Sequence, residues 1–212
     1  MTGEHHRDSL GPADSTFPVI ALAASSGGLN ALSLILADLP ADIPAALLVV
    51  LHRTVRAPNM LVKILEARTR LEVKSAENGD ALRTGTVFVA VPDWHLLVTP
   101  GGTLSLVRTG KVKHVRPSAD SLFLSMAASL KGRAVAVVLT GHDGDGSGGV
   151  GAVHRNGGFV IAQEAGTADA ASMPKAAIAT GCVDRVIPLA GIAAALMAVV
   201  ADKTRGGASL PS

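Results

Sequence analysis

Between Val19 and Ala201 the chain alternates short, unbroken apolar runs with longer stretches in which apolar residues recur every three or four positions. The unbroken runs are Val19–Ala23, Ala46–Leu51, Ala134–Thr140, Phe159–Ala162 and Val183–Ile187. Runs this short and this continuous predict strands buried on both faces. The periodic stretches predict helices over Gly28–Leu39, Asn59–Arg68, Ser118–Lys131, Val150–Arg155, Met173–Ala179 and Leu189–Ala201. Ser118, directly after Pro117, is the cap of its helix. Three more short runs, Thr86–Val91, His95–Thr99 and Thr103–Arg108, are separated by the turn pairs Pro92-Asp93 and Gly101-Gly102 and predict an antiparallel excursion. Strands that alternate with helices predict one α/β domain, a doubly wound, mainly parallel sheet covered by helices on both faces. Its bounds are residues 18–202, between a disordered polar tail (1–17) and a C-terminal tail (203–212).

Composition narrows what such a domain does. Of the 212 residues 48% are hydrophobic but only 2% aromatic, so Ala, Val, Leu and Gly fill the core and stacking on bases is largely unavailable. A net charge of +2 gives no reason to expect nucleic acid or an anionic membrane as partner. Cys182 is the single cysteine, which excludes a disulfide framework and suits a reducing cytoplasm. The polar N-terminus has no signal-peptide core, and the apolar stretch Leu189–Ala201 falls short of the roughly 20 residues that cross a bilayer. Apart from His5-His6 in the tail, no histidine pair has metal-ligand spacing, so neither a metal nor another cofactor is expected.

In parallel sheets ligands bind beyond the carboxyl ends of the strands, and the polar residues there deserve most weight. Ser25 and Ser26 follow the first strand, and His52 follows the second. His142, Asp143 and Asp145 follow the Ala134–Thr140 strand. A hydroxyl, an imidazole and a carboxylate on one sheet edge are the set that activates a serine nucleophile. Gly27-Gly28 at a helix start adds backbone N–H groups and the positive helix end for an oxyanion.

Plainer readings compete at each point. Either serine would serve as a helix cap. Gly144, Gly146 and Gly149, with Glu164 twenty residues on from Gly144, satisfy a dinucleotide fingerprint. The alternative function is therefore a nucleotide-binding regulatory module that uses the Gly144–Gly149 loop without hydrolysis. Against it, Asp143 and Asp145 would repel a pyrophosphate. The same loop opens like a calcium site, but His154 stands where the bidentate Glu is required. Arg108, Lys111, Lys113 and Arg116 form a basic run, read either as a solvated hairpin tip or as a docking patch for an acidic substrate protein.

Ser25-Ser26-Gly27-Gly28, His52, "HVRPSADSLF" and "LTGHDGDGSGG" together resemble the catalytic domain of CheB-type protein-glutamate methylesterases of bacterial chemotaxis. "MPKAAIATGCVDRVIPL" resembles that family's closing segment, and the likeness runs from about Val19 to Val199. It implies Ser25 as nucleophile, His52 as base and Asp145 as carboxylate, with Ser26, Gly27, Gly28 and His142 shaping the turn and oxyanion site. It further implies removal of methyl groups from γ-glutamyl methyl esters on receptor helices, and deamidation of receptor glutamines. His142-Asp143 stands where the family usually has Met-Gly, Ser172 where a Gly usually precedes Met-Pro, and Arg53-Thr54 follows His52 in place of Met-Pro. Only 18 residues precede Val19, so the family's phosphorylatable receiver is not expected in cis, and a regulator in trans is.

Overall fold

The computed structural model describes residues 16–52 and 60–206. Seven strands form one sheet: β1 (Val19–Ala24), β2 (Ala46–Leu51), β3 (Glu72–Ser75), β4 (Thr86–Val89), β7 (Ala134–Val138), β8 (Phe159–Gln163) and β9 (Arg185–Ile187). Their order is β3-β4-β2-β1-β7-β8-β9, and every neighbouring pair is parallel. The antiparallel excursion is a separate hairpin, β5 (His95–Val98) with β6 (Leu104–Val107). Its tip lies at Thr99–Thr103, and the basic run lies in the connection that follows β6, around a second tight turn at Lys113-His114 that an antiparallel bridge between Val112 and Val115 closes.

Period-two alternation divides the core. Val19, Ala21 and Ala23 face one layer, and Ile20, Leu22 and Ala24 the other. The first layer is closed by Phe123 and Met126 of α3 (Ala119–Leu130), Val150 and Val153 of α4 (Ser147–Arg155) and Met173 of α5 (Ser172–Ala179). The second is closed by Leu32 and Leu36 of α1 (Gly28–Asp38), Leu61 and Leu65 of α2 (Met60–Glu66) and Leu196 and Val200 of α6 (Ile192–Gly206). Burial of all six β1 residues explains why that run carries no polar position.

The differences from the sequence expectation have local causes. β3 was not expected: its "EVKS" places one buried residue among exposed or half-buried ones, a signal too short for alternation to register. Thr86–Val89 lies in the parallel sheet, between β2 and β3, outside the antiparallel hairpin. At the N-terminal boundary, Phe17 packs on the core. At the other end α6 runs to Gly206, into the expected tail. The rest of both tails, Arg53-Thr54 and the expected helix start at Asn59 lie outside the described residues.

Glycines of the Gly144–Gly149 loop serve packing. A Cβ at Gly149 would lie 2.6 Å from Cβ of Phe123 and 3.1 Å from the Asp120 carbonyl oxygen, so the glycine lets α4 approach α3. Its N–H donates to Asp120 Oδ1 at 2.9 Å. Gly149→Ala is expected to destabilise the fold by about 1–3 kcal/mol through overpacking, read as a lower midpoint in urea. An unchanged midpoint would show that the helices have room to part.

Candidate active site

The strand order reverses direction at β1, the place where doubly wound sheets open a crevice. Register brings the three polar segments together there. Ser25 N donates to Thr140 O at 2.9 Å, and His52 N donates to Ala24 O at 3.0 Å. The ends of β1, β2 and β7 are thus laced to one another directly beneath Ser25 and His52.

The turn after β1 settles the reading of the serines as caps. Neither serine caps α1: the N-cap is Gly27, in the left-handed region at φ 76°, and no side chain caps the helix. Side chains are disfavoured at this φ, and a Cβ there would also clash with Asp169 Oδ2. The turn is held by backbone instead, with Gly28 N donating to Ser25 O at 2.8 Å. Ser25 is half-buried and Ser26 is exposed. The first turn of α1 lines the crevice with no side chain capping its N–H groups, and of these Gly28 N–H is taken by Ser25 O.

Thr140 is a residue that the sequence reading placed only at the end of a strand. Its hydroxyl donates to Ser26 O at 2.8 Å and accepts from Ala170 N at 2.9 Å. Its own N–H donates to Gln163 Oε1 at 2.8 Å. One buried side chain thereby ties the serine turn to the segment before α5.

Asp145 is fully buried and takes hydrogen bonds on both oxygens. Oδ2 meets His52 Nε2 at 2.9 Å and the N–H of Ala119. Oδ1 accepts from Ser118 Oγ at 2.8 Å and Asp120 N at 3.1 Å. Ser118 caps α3 as expected, accepting from Ser121 N at 3.4 Å, and in addition turns its proton to Asp145. Burial pushes the Asp145 pKa up, but the bonds from His52, Ala119, Asp120 and Ser118 together outweigh it and leave it below the usual carboxylate value. The ionised, acceptor-only carboxylate makes Nε2 of a neutral His52 the protonated nitrogen. His52 Nδ1, itself buried, then carries a lone pair and has no partner among the described residues.

The depressed pKa sets a test with a definite sign. Unfolded, Asp145 titrates near ~3.9. Its contribution is complete above that value and is lost as pH falls through the lower folded value. The melting temperature of wild type should therefore drop more steeply below about pH 4 than that of Asp145→Asn. Parallel curves would remove the carboxylate from the acid transition.

Other expected residues separate clearly. His142 and Asp143 part from the site's buried carboxylate: Asp143 is exposed and has φ 80°, while His142 lies beside it in the same loop. Arg108 and Arg116 both engage Asp93, with Arg108 Nη2 at 2.7 Å and Arg116 Nε at 3.0 Å from its oxygens. Lys113 reaches Asp120, Gly144 and Ser147, while Lys111 is exposed in the connection. Three of the four basic side chains thus have internal carboxylate partners. No metal-ligating cluster and no helix long and apolar enough to cross a membrane occur among the described residues.

A cleft of about 540 Å³ lies over the site. Ser25 and His52 line it beside Leu29, Leu61 and Ile64, with Arg68 on its wall. The nucleotide-module reading loses its footing here, because the Gly144–Gly149 loop carries a buried carboxylate and spends its Gly149 N–H on Asp120.

A seven-stranded parallel sheet with Ser, His and Asp gathered at its switch point defines an α/β domain built like a serine hydrolase. The chain belongs to the CheB methylesterase family, whose family model matches residues 20–196. A protein-glutamate methylesterase/protein-glutamine glutaminase of Pyrococcus abyssi is 37% identical over 194 residues, covering 90% of this chain and 52% of that protein. A putative protein of the same description from Leptospira interrogans is 34% identical, covering 84% of this chain and 92% of that one. The crystal structure of the Thermotoga maritima CheB methylesterase catalytic domain superposes with a TM-score of 0.83 at 33% identity, covering 87% of this chain and 99% of that one. The chain spans about half the length of several curated relatives it matches, such as that of Pyrococcus abyssi.

Proposed function

We propose that the domain hydrolyses γ-glutamyl methyl esters on chemoreceptor-type proteins and deamidates glutamines on the same helices. The observation that carries this reading is the His52–Asp145 pair at 2.9 Å, which leaves His52 Nδ1 unpartnered in a cleft that Ser25 also lines. In the proposed cycle Ser25 Oγ attacks the ester carbonyl and His52 Nδ1 accepts its proton. The tetrahedral oxyanion rests on backbone N–H groups of the serine–glycine turn other than that of Gly28, which Ser25 O already takes. The imidazolium returns the proton to the leaving methoxide, so methanol departs and an acyl-serine remains. Water, activated by the same nitrogen, frees glutamate and restores Ser25. A glutamine substrate follows the same course with ammonia as the leaving group.

The partners in this reading are receptor helices in the cytoplasm, with control by a regulator in trans. A basic contribution from Arg108, Lys111, Lys113 and Arg116 to docking narrows to Lys111, since the other three have internal partners. Mass spectrometry of methylated receptor fragments incubated with the purified chain tests the reading. Loss of methyl groups with release of methanol is expected, and also conversion of glutamine to glutamate at receptor sites. Receptor peptides left unchanged by wild type, with and without the cell's receiver-domain proteins added, would overturn it.

A further inference from the structure

Lys113 makes contacts that no docking role requires. Its Nζ lies 2.8 Å from Gly144 O, 2.9 Å from Ser147 Oγ and 3.0 Å from Asp120 Oδ2. An ammonium has three protons, and here three acceptors surround it. We propose that Lys113 is a positioning residue for Asp145, and thus acts on the reaction through His52; the inference rests on the methylesterase reading above.

The contacts close a ring. Asp120 N donates to Asp145 Oδ1 at 3.1 Å, and Asp120 Oδ2 meets Lys113. Lys113 in turn holds the carbonyl of Gly144, the residue directly before Asp145. The segment it holds needs holding: Asp143 and Gly144 have φ of 80° and 119°, outside any helix or strand. Within the ring, α3 grips the carboxylate from one side while Lys113 fixes its backbone from the other.

Charge gives the lysine a second task. The Asp120 side chain is only 7% exposed, and its own backbone N–H binds the Asp145 carboxylate. Two buried carboxylates this near repel one another. The ammonium on Asp120 offsets the second charge, so that Asp145 stays ionised and free to orient His52.

Four variants and one double variant decide the matter, with methylated receptor fragments as substrate. Lys113→Met should lower kcat by about tenfold to a hundredfold, the usual cost of a catalytic group displaced by about 1 Å, with KM unchanged. Lys113→Arg, which keeps the charge and several donors, should recover most of that loss. In an Asp145→Asn background Lys113→Met should add nothing, since the group it positions is already disabled. A rise in KM at constant kcat would make Lys113 a docking residue and overturn the proposal. So would an equal loss in both backgrounds, or a fall in melting temperature that accounts for the lost rate and that Lys113→Arg fails to reverse. If Lys113→Met is neutral while Asp145→Asn is inactive, only this inference fails. If Asp145→Asn and Ser25→Ala both keep full turnover, the methylesterase reading fails with it.

Discussion

Ser25→Ala is expected to lower the rate of receptor demethylation by at least about three orders of magnitude, the loss typical of a removed nucleophile, at an unchanged melting temperature. The fold should survive because the Ser25 backbone holds the turn: its N–H goes to Thr140 O and its carbonyl takes the Gly28 N–H. The neighbouring hydroxyl provides the control. Ser26 is exposed, and its backbone carbonyl oxygen accepts from Thr140, a bond untouched by a change of side chain. Ser26→Ala should therefore cost less than about tenfold in rate, in keeping with a surface side chain that no proton transfer uses. A phosphonate ester probe followed by peptide mapping supplies the chemical readout, with the adduct expected on Ser25. An adduct on Ser26, or equal losses from the two substitutions, would exchange their roles.

Much of this site was legible in the chain because parallel sheets have one functional edge. Once Val19–Ala23, Ala46–Leu51 and Ala134–Thr140 read as buried strands, the residues at their carboxyl ends had to converge, whatever their separation in sequence. Spacing alone did not decide between Ser25 and Ser26 or between Asp143 and Asp145, since each pair occupies one short loop. The structure separates the second pair by burial: Asp145 is fully enclosed, and Asp143 faces solvent. What stayed hidden was of another kind. Ser118 read as a cap and is one, but its second bond, to Asp145 Oδ1, crosses 27 residues and leaves no periodic trace. Lys113 sits in a run of like charges, a pattern that normally means a solvated face, and its three acceptors come from two other segments of the chain. Gly149 matched a phosphate-binding motif for a reason unrelated to phosphate, because close packing of two helices demands the same residue as a ligand's close approach.

Asp145→Asn should remove most of the activity, by about four orders of magnitude if the loss follows that of other serine triads, whereas Asp143→Asn should leave the rate nearly unchanged. The reason lies in a count of donors. Asp145 receives protons from Ser118 Oγ, Ala119 N and Asp120 N, and His52 Nε2 stands at 2.9 Å as the fourth partner. Four donors suit a carboxylate, which only accepts. An asparagine must turn its NH2 toward two of them. Ser118 Oγ and Asp120 N, from α3 and its cap, hold Oδ1, whereas Oδ2 has only Ala119 N from α3 beside His52, so the NH2 takes the Oδ2 position, faces His52 and gives up the bond from Ala119. The ring then presents its lone pair at Nε2 and carries its proton on Nδ1, the nitrogen that has to accept from Ser25. The substitution thus disables the base by reversing its tautomer, and it also deletes the charge that stabilises the imidazolium. Asp143 has neither connection: it is exposed, and its φ of 80° is a conformation that asparagine adopts readily. Rates for both variants between about pH 5 and 9, the range in which an imidazole changes charge, decide the assignment. A larger loss from Asp143→Asn would mean that the exposed carboxylate swings in to serve His52 during turnover, and the buried one would then be a cap for α3 alone.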